Sequence, residues 1–385
     1  MEFLGIDELD TRERYRWQLY CQLCSLRPGV IPFPKLRKLR LYQDYEQADC
    51  DGSLLLFSSS LRELRIDFGS ATFNRSLRVA EGYLLAAARQ VPMLKHLSLH
   101  GDPPGTSYMC IAEYKYLRTL DLRHAQTVDA QVYRSLISAA SAMTELIEFH
   151  LPNQGLNGIP EKCIPLCKGF RHLQVLGIQT RPNNITQFLD TLDSPGLRAV
   201  TCKGGNIQSR PSEWLECVQK LCLQHGASLR SVELRSRALN IWDSSAESGH
   251  HVLKDIIISL RALHRLEEVV LEFCMVDLSA EDLYTMASSW PNLRRLKIKS
   301  KIDHHSRPAD GASTYNCLIS LTQLCSELVH LELFIQDDKL PNIAEWPRLS
   351  HRLRELKLDV PRRVREQLGP FLDRIFPEKY DRWAV

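Results

Sequence analysis

A six-residue phrase, apolar-x-x-apolar-x-apolar, recurs along the chain and constrains its fold more than any other feature of the sequence. Twelve copies occur, and successive copies begin 23 to 37 residues apart. An array of this length predicts one continuous repeat structure in place of separate globular domains. The copies begin at Leu36, Leu61, Leu94, Leu117, Leu146, Leu173, Leu197, Leu229, Leu266, Leu293, Leu328 and Leu353.

Each phrase is predicted to be a short strand. Strand side chains alternate between two sides, so the fourth and sixth residues of a phrase point the same way, and that side must be the inside. The segments between phrases have helical patterning, as at residues 79–90, 212–224 and 280–290. A proline stands two residues before the first leucine in four repeats, and we expect it to end the preceding helix there. These prolines are Pro34, Pro92, Pro195 and Pro291.

A unit of strand, turn and helix cannot bury its apolar face alone, so stacked units must share one core. The predicted fold is therefore an α/β solenoid, a horseshoe of about twelve irregular repeats with short parallel strands on its concave side and helices on its convex side. Residues 34–361 form this array. Residues 1–33 are predicted to be an N-terminal capping segment with a helix, on which Tyr15, Leu19 and Leu23 share a face. Residues 362–385 are predicted to be a C-terminal capping helix and tail.

Charge and hydropathy narrow the possible partners and location. A net charge of +3 over 385 residues gives no general attraction to nucleic acid or to membranes. No window approaches the ~20 apolar residues of a membrane span, and no secretory signal is recognisable at the start. We expect a cytoplasmic protein, with the nucleus as a second option, that works as a monomer. Its twelve scattered cysteines are expected to be reduced.

The phrases resemble those of the leucine-rich-repeat family, and the long repeats with helices are similar to its ribonuclease-inhibitor-like and cysteine-containing branches. The resemblance covers about nine tenths of the chain. The ninth position of a repeat should be Asn or Cys in this family, yet here it is Asp44, Gly69 or another residue in most repeats. We therefore expect irregular turns. One repeat stays close to the cysteine-containing pattern, with Leu266, Val269, Leu271, Cys274, Val276, Pro291 and Leu293.

The Pro-x-Leu-Arg phasing of these degenerate repeats is most similar to the recognition regions of fungal F-box proteins. That family holds substrates for ubiquitin ligation, and its F-box is an N-terminal helical module that binds the ligase adaptor. Only 33 residues precede the first clear repeat, fewer than an F-box needs, so we expect the F-box to be absent. The resemblance implies a protein partner and, as one option, contact with ubiquitin-ligase components.

The third, fifth and seventh residues of each phrase are predicted to project from the concave strands, and we take them as the candidate partner-binding surface. Ten positive and ten negative side chains fall at these positions. A nucleic-acid surface would need one sign of charge, so this balance favours a protein partner.

One strand of this surface is basic throughout, with acidic residues on both neighbouring strands. Two readings remain open: the charges pair across strands and only keep the sheet solvated, or they form a hot spot for an acidic segment of the partner, with Arg295 at its centre. The six residues are Arg295, Lys297 and Lys299 on the basic strand, Glu268 and Glu272 on the strand before, and Glu332 on the strand after.

A second candidate patch contains His96, His100 and His150, with Tyr42 and Arg123 in the same half of the surface. Histidines near neutral pH could make the patch sensitive to pH or able to bind a metal ion. No carboxylate or thiol completes a ligand set in the sequence pattern, so no metal site and no cofactor are predicted.

Catalytic signatures are missing from the sequence. It has no nucleophile elbow, no His-Glu-x-x-His helix and no kinase signature, and Cys21 with Cys24 is a single CxxC without a second pair. We therefore predict a non-catalytic binding module. The alternative is a GTPase-activating or other regulatory enzyme built on a leucine-rich-repeat horseshoe.

Overall fold

A computed structural model shows how the repeats are arranged. It describes residues 3–5, 33–43, 56–68, 77–101, 105–125, 130–152, 169–204, 209–236, 254–273, 278–300, 315–335, 340, 351–360, 362–376 and 382–384. The chain divides into two compact units, each interrupted once. Unit 1 comprises Met1–Thr180 and Asp190–Leu197, and unit 2 comprises Arg181–Leu189 and Arg198–Val385.

Unit 1 contains strands β1 to β7, which pair in parallel and in chain order. Helices alternate with strands along much of its length. The strands are β1 (Phe3–Gly5), β2 (Lys38–Gln43), β3 (Glu63–Phe68), β4 (His96–Gly101), β5 (Thr119–Ala125), β6 (Glu148–His150) and β7 (Val175–Gln179). The helices are α1 (Leu77–Gln90), a 3-10 helix (Gly105–Glu113) and α2 (Ala130–Ser141).

Unit 2 repeats the same plan with strands β8 to β14, again parallel and in chain order. The strands are β8 (Ala199–Lys203), β9 (Ser231–Arg235), β10 (Glu268–Phe273), β11 (Arg295–Ser300), β12 (His330–Phe334), β13 (Glu355–Asp359) and β14 (Arg382–Ala384). The helices are α3 (Pro182–Leu189), α4 (Pro211–His225), α5 (Ala280–Ser289), α6 (Asn316–Leu324) and α7 (Arg362–Ile375), and residues 254–260 are also helical. None of the described helices is long and apolar enough to cross a bilayer.

The predicted strand positions are confirmed. Each of the twelve phrases forms one strand, β2 to β13, and every strand begins at the third residue of its phrase. The first, fourth and sixth residues of each phrase are all buried, the most exposed being Leu41 at 5%. These apolar side chains form the core, and their burial stabilises the fold by about 25 cal/mol per Å² of apolar surface removed from water. The structure is thus an α/β parallel arrangement of repeated units.

The prolines of the repeats occupy the second position of a tight turn before each strand. The Leu36 amide donates to the Phe33 carbonyl oxygen at 3.0 Å across Pro34, and the Leu293 amide donates to the Trp290 carbonyl oxygen at 3.1 Å across Pro291. The fixed φ of proline suits this turn position. Pro92 and Pro291 each follow a helix that ends two residues earlier, at Gln90 and Ser289, as predicted, whereas α3 ends at Leu189, well before Pro195. At all four positions the proline shapes the turn into the next strand.

Side-chain caps and buried aromatic residues fix the helices of unit 2. At the start of α5, the Ser279 hydroxyl oxygen accepts from the Asp282 amide at 3.1 Å, and the Asp282 carboxylate accepts from the Ser279 amide at 3.0 Å. This capping box satisfies amides that lack helical partners. Trp290, directly after α5, is buried and donates to the Leu260 carbonyl oxygen at 3.2 Å.

The chain ends carry two strands that the sequence patterns did not predict, β1 and β14. A helix occupies Arg362–Ile375 where one was predicted, but the chain then returns to the sheet, where β14 pairs with β13. The predicted N-terminal helix with Tyr15, Leu19 and Leu23 lies outside the described residues, as do most ninth positions of the repeats. Among the described residues six cysteines are free thiols, and all but Cys222 are buried.

Candidate functional site

The outward side chains of the strands form a surface that we call the strand face. It consists of the third, fifth and seventh residues of the phrases. Strands such as β8 and β9 alternate buried inner residues with partly exposed outer ones, so the strand face is solvated while the opposite side lies in the core. Each unit has its own part of the strand face, and the two candidate patches fall in different units.

The basic strand of unit 2 is β11, and its two lysines share one carboxylate. The ammonium nitrogen of Lys297 lies 3.2 Å from one carboxylate oxygen of Glu332, and that of Lys299 lies 2.9 Å from the other. Partial burial would raise the pKa of Glu332, but hydrogen bonds from Lys299 and Lys297 outweigh it and hold that pKa below its usual value. The hydrogen bond to Glu332 in turn raises the pKa of Lys299. The triad carries one net positive charge.

Arg295, at the start of β11, is exposed and makes no side-chain ion pair or hydrogen bond with any residue that the structure describes. In register it lies between Glu268 on β10 and His330 on β12. Glu268 instead accepts a hydrogen bond from the Ser231 hydroxyl at 3.3 Å. The guanidinium group of Arg295 is therefore available to a ligand.

Glu272 is opposite Lys299 in register, but its close partner is an arginine on the other side. One guanidinium nitrogen of Arg235 lies 3.4 Å from a carboxylate oxygen of Glu272, whose side chain is only 11% exposed. Arg235 also pairs with Glu233 at 2.6 Å. Glu272, Lys297 and Lys299 thus all form ion pairs across neighbouring strands. Arg295 does not take part in this cross-strand pairing among the described residues.

A small open depression lies beside Arg295, between β11, β12 and β13. Its Glu355 carboxylate is held by two donors, Lys357 at 2.6 Å and His330 at 3.0 Å. These two hydrogen bonds lower the pKa of Glu355. The sequence patterns put His330, Glu355 and Lys357 at outward positions of the candidate partner-binding surface, but did not group them with Arg295. The polar residues that line the depression are Arg295, Lys297, His330, Glu332, Glu355 and Lys357.

The histidine patch of unit 1 divides into separate hydrogen-bonded groups. Asp67 on β3 accepts from Arg40 at 2.8 Å and from Arg65 at 3.1 Å. Burial would raise the pKa of this carboxyl, but the two arginines bring it below its usual value. His96 is exposed on β4. Tyr42 belongs to β2, opposite Asp67 in register, and its side chain lies outside the described residues.

His100 is held neutral by its surroundings. Burial, and then the positive charge of Arg65, lower its pKa to about 4. The Nδ1 atom of His100 lies 3.1 Å from the Arg65 guanidinium and 3.2 Å from a carboxylate oxygen of Asp67, and its Nε2 atom lies 2.9 Å from the Ser98 hydroxyl oxygen. The ring also lies 4.6 Å, centre to centre, from that of His124. A shift of register in β5 places His124 opposite His100.

Arg123 and His150, the remaining members of the predicted patch, have their own carboxylate partners. Arg123 donates to both carboxylate oxygens of Asp121, at 3.0 and 2.7 Å. The Nε2 atom of His150 lies 2.7 Å from a carboxylate oxygen of Glu148, and its side chain is 7% exposed. That hydrogen bond lowers the pKa of Glu148. Within the described residues, no three His, Cys, Asp or Glu side chains group as a metal ion would require.

Comparison with protein-family models found no matching family. Comparison with curated proteins found no significant match. The functional argument therefore depends on the fold and on the strand face.

Proposed function

We propose that this chain is a leucine-rich-repeat protein that binds a protein partner on the strand face of unit 2, around Arg295. The regular strand positions and the buried first, fourth and sixth residues of each phrase support the repeat assignment. The parallel strands place outward side chains in rows about 4.8 Å apart, a spacing on which an extended or helical segment can contact several strands.

The proposal depends on one observation: the positively charged side chains of β11 differ in whether a carboxylate pairs with them. Lys297 and Lys299 are held in place by Glu332, while Arg295 has no such partner among the described residues. Together these four side chains carry two net positive charges. Side chains already fixed by ion pairs lose little entropy on binding, and an exposed arginine among them is a common centre of binding energy. An acidic segment of a partner complements this surface.

The resemblance to F-box recognition regions supports one pathway for this binding, the recognition of substrates for a ubiquitin ligase. In that pathway the chain acts as a monomer in the cytoplasm or nucleus. Purification of the tagged chain from cells, with quantification of co-purifying ligase adaptor, tests the pathway. A partner retained without any adaptor would remove the ligase pathway and leave the binding proposal intact.

Charge reversal on β11 tests the proposed site. Partners captured by the tagged chain are identified by mass spectrometry, and their amounts are compared for Arg295→Glu, for Arg295→Glu with Lys297→Glu, and for the control Arg294→Glu. Arg294 is exposed beside Arg295 but does not line the depression. We expect at least a tenfold loss of one specific partner for both Arg295 variants, and no loss for the control. Undiminished capture by the double variant contradicts the site.

A further inference from the structure

The edge of unit 1 at which strands β2 to β5 begin is rich in cations. Each phrase enters its strand through two turn residues and then, after its first leucine, a second residue that is exposed or half-buried in these four phrases. At these three positions the four phrases carry six lysines and arginines and no acidic residue. The near-neutral charge of the whole chain therefore conceals a local row of one sign. We call this row the basic edge, and it consists of Lys35, Arg37, Arg62, Lys95, Lys115 and Arg118.

Main-chain hydrogen bonds place four of these cations in consecutive repeats, one beside the next. The Arg62 amide donates to the Arg37 carbonyl oxygen at 2.8 Å, and the Lys95 amide donates to the Arg62 carbonyl oxygen at 2.9 Å. The Arg118 amide donates in the same way to the Lys95 carbonyl oxygen at 2.7 Å. Like charges side by side on neighbouring strands destabilise a sheet. The row therefore gains most from an anion that lies along it.

The described residues supply little negative charge to the basic edge. The Arg62 guanidinium donates to the carbonyl oxygens of Ser59 and Leu61, at 2.8 and 2.9 Å. Among the described residues, the one carboxylate that pairs with the basic edge is that of Glu145, 3.9 Å from the Arg118 guanidinium. Five of the six cations thus have no carboxylate partner in the part of the chain that the structure describes.

Two exposed apolar side chains lie among these cations. Met93 is 41% exposed and Tyr116 is 49% exposed, and they occupy equivalent turn positions in neighbouring repeats. Tyr116 directly follows Lys115 and comes two residues before Arg118. An aromatic ring beside cations can stack on a nucleobase while the cations contact phosphates. A duplex buries the faces of its bases in its own stack, so a single strand is the form that can use both features.

We propose that the basic edge binds single-stranded nucleic acid, with phosphates along the cations and one base stacked on Tyr116. Neighbouring strands lie about 4.8 Å apart, so six cations on four strands give roughly one positive charge per 3 Å. A nucleic-acid strand has one phosphate per roughly 3.4 Å, whereas an extended acidic peptide turns carboxylates to one side only every ~6.6 Å. The charge density therefore fits a nucleic-acid strand better. This site lies in unit 1 and does not depend on the proposed protein-binding site of unit 2.

Fluorescent oligonucleotides of about ten bases test the proposal on the full chain. Anisotropy gives the affinities of an oligouridylate, an oligothymidylate and a duplex of the same length. We expect one or both single strands to bind at least about fivefold tighter than the duplex, although the duplex carries more phosphates, because only a single strand can stack on Tyr116. The logarithm of the binding constant should fall with the logarithm of salt concentration with a slope of about −3 to −4, at about −0.7 for each phosphate contacted.

Competitors of other classes provide the contrary outcomes. Unlabelled polyglutamate and phosphatidylserine vesicles are added at the same concentration of negative charge as an unlabelled single strand. The single strand should displace the probe at a lower concentration than either competitor. Stronger competition by polyglutamate or by the vesicles overturns the proposal, and so does a duplex that binds more tightly than both single strands.

Substitutions assign the binding to the basic edge. Arg37→Ala with Lys95→Ala should weaken binding about tenfold and make the salt slope shallower by about 1.4, because two phosphate contacts are lost. Tyr116→Ala should weaken binding at least about fivefold with the slope unchanged, and Tyr116→Phe should retain the affinity. The matched control, Arg352→Ala with Arg354→Ala, removes two exposed cations from the turn and second position of the last phrase, in unit 2.

The control should leave the affinity within about twofold of the unmodified chain, because it removes no contact of the basic edge. Circular dichroism verifies that each variant keeps its fold. Equal losses for the two double variants overturn the assignment. An unchanged salt slope in Arg37→Ala with Lys95→Ala, or full affinity in Tyr116→Ala, also contradicts it.

Discussion

Gly177 on β7 is expected to tolerate no side chain because His150 on β6 occupies the space beside it. The two residues are opposite each other in register. A Cβ atom added to Gly177 would lie 2.1 Å from the Nδ1 atom of His150 and 3.1 Å from its Cγ atom, well inside the roughly 3.5 Å of an ordinary contact. The imidazole ring must therefore leave its site in Gly177→Ala.

The cost of that displacement follows from the contacts of the ring. The His150 side chain is 7% exposed, and its 2.7 Å hydrogen bond to Glu148 would be broken. A hydrogen bond to a charged group contributes about 1.5–3 kcal/mol, whereas replacing a strand glycine by alanine otherwise stabilises by about 0.5–1 kcal/mol. We expect Gly177→Ala to lower the free energy of unfolding by about 1–2 kcal/mol.

A double-mutant cycle tests this reasoning. In a His150→Ala background the ring is gone, so Gly177→Ala should become neutral or stabilising, and the sign of its effect should reverse. Urea unfolding of the four proteins gives the coupling energy between the two positions. The reasoning is refuted if Gly177→Ala costs the same free energy with and without the imidazole ring.

Three further predictions follow from the same structure. Gly101 has a φ of +82° and a backbone oxygen of β3 where its Cβ would be, so Gly101→Ala should lower the free energy of unfolding by more than about 2 kcal/mol. Gly82, in open space on α1, is its control, and Gly82→Ala should stabilise by about 0.5–1 kcal/mol; equal effects in urea unfolding would contradict this. The His100 pKa of about 4 lies below the ordinary 6.5. As the pH falls, this histidine therefore becomes protonated in the unfolded chain before it does so in the folded chain. Stability should therefore fall by about 1 kcal/mol per pH unit between pH 6.5 and 4.5, and His100→Gln should flatten this slope in urea unfolding at pH 7 and 5; an unchanged slope would argue against the neutral ring. Finally, Lys299→Met should raise the pKa of Glu332, measured by NMR titration of the carboxyl carbon, because it removes a hydrogen bond that lowers that pKa; no change would mean that Lys297 alone sets it.

The strand positions could be predicted from sequence because one physical signal repeats in every unit. The first, fourth and sixth positions of a phrase must be apolar to be buried, and a turn must precede them. Leu293, Leu296 and Ile298 follow this rule directly after Pro291, and all three are buried. Such local rules need no knowledge of distant residues.

The details of the strand face could not be predicted in the same way, because they depend on registers and side-chain conformations. The sequence placed Arg123 at the seventh position of its phrase, yet the shift of register in β5 sets His124 against His100. The buried residues Leu122 and Ala125 are three apart instead of two, and this spacing was the available signal. The sequence has no such signal for which of two cations forms an ion pair with a carboxylate. Glu272 lies between Lys299 and Arg235 in register, and only the side-chain geometry shows that it pairs with the arginine.

The most direct test of the central claim is to locate the bound partner by photo-cross-linking. A benzophenone amino acid replaces either Phe334, at the seventh position of the β12 phrase on the strand face, or Tyr284, which is 53% exposed on α5. Both are aromatic residues of unit 2, so the replacements are matched. If the strand face binds the partner, cross-links to it should form from position 334 and not from position 284. Cross-links from position 284 alone, or equally from both positions, would contradict the account.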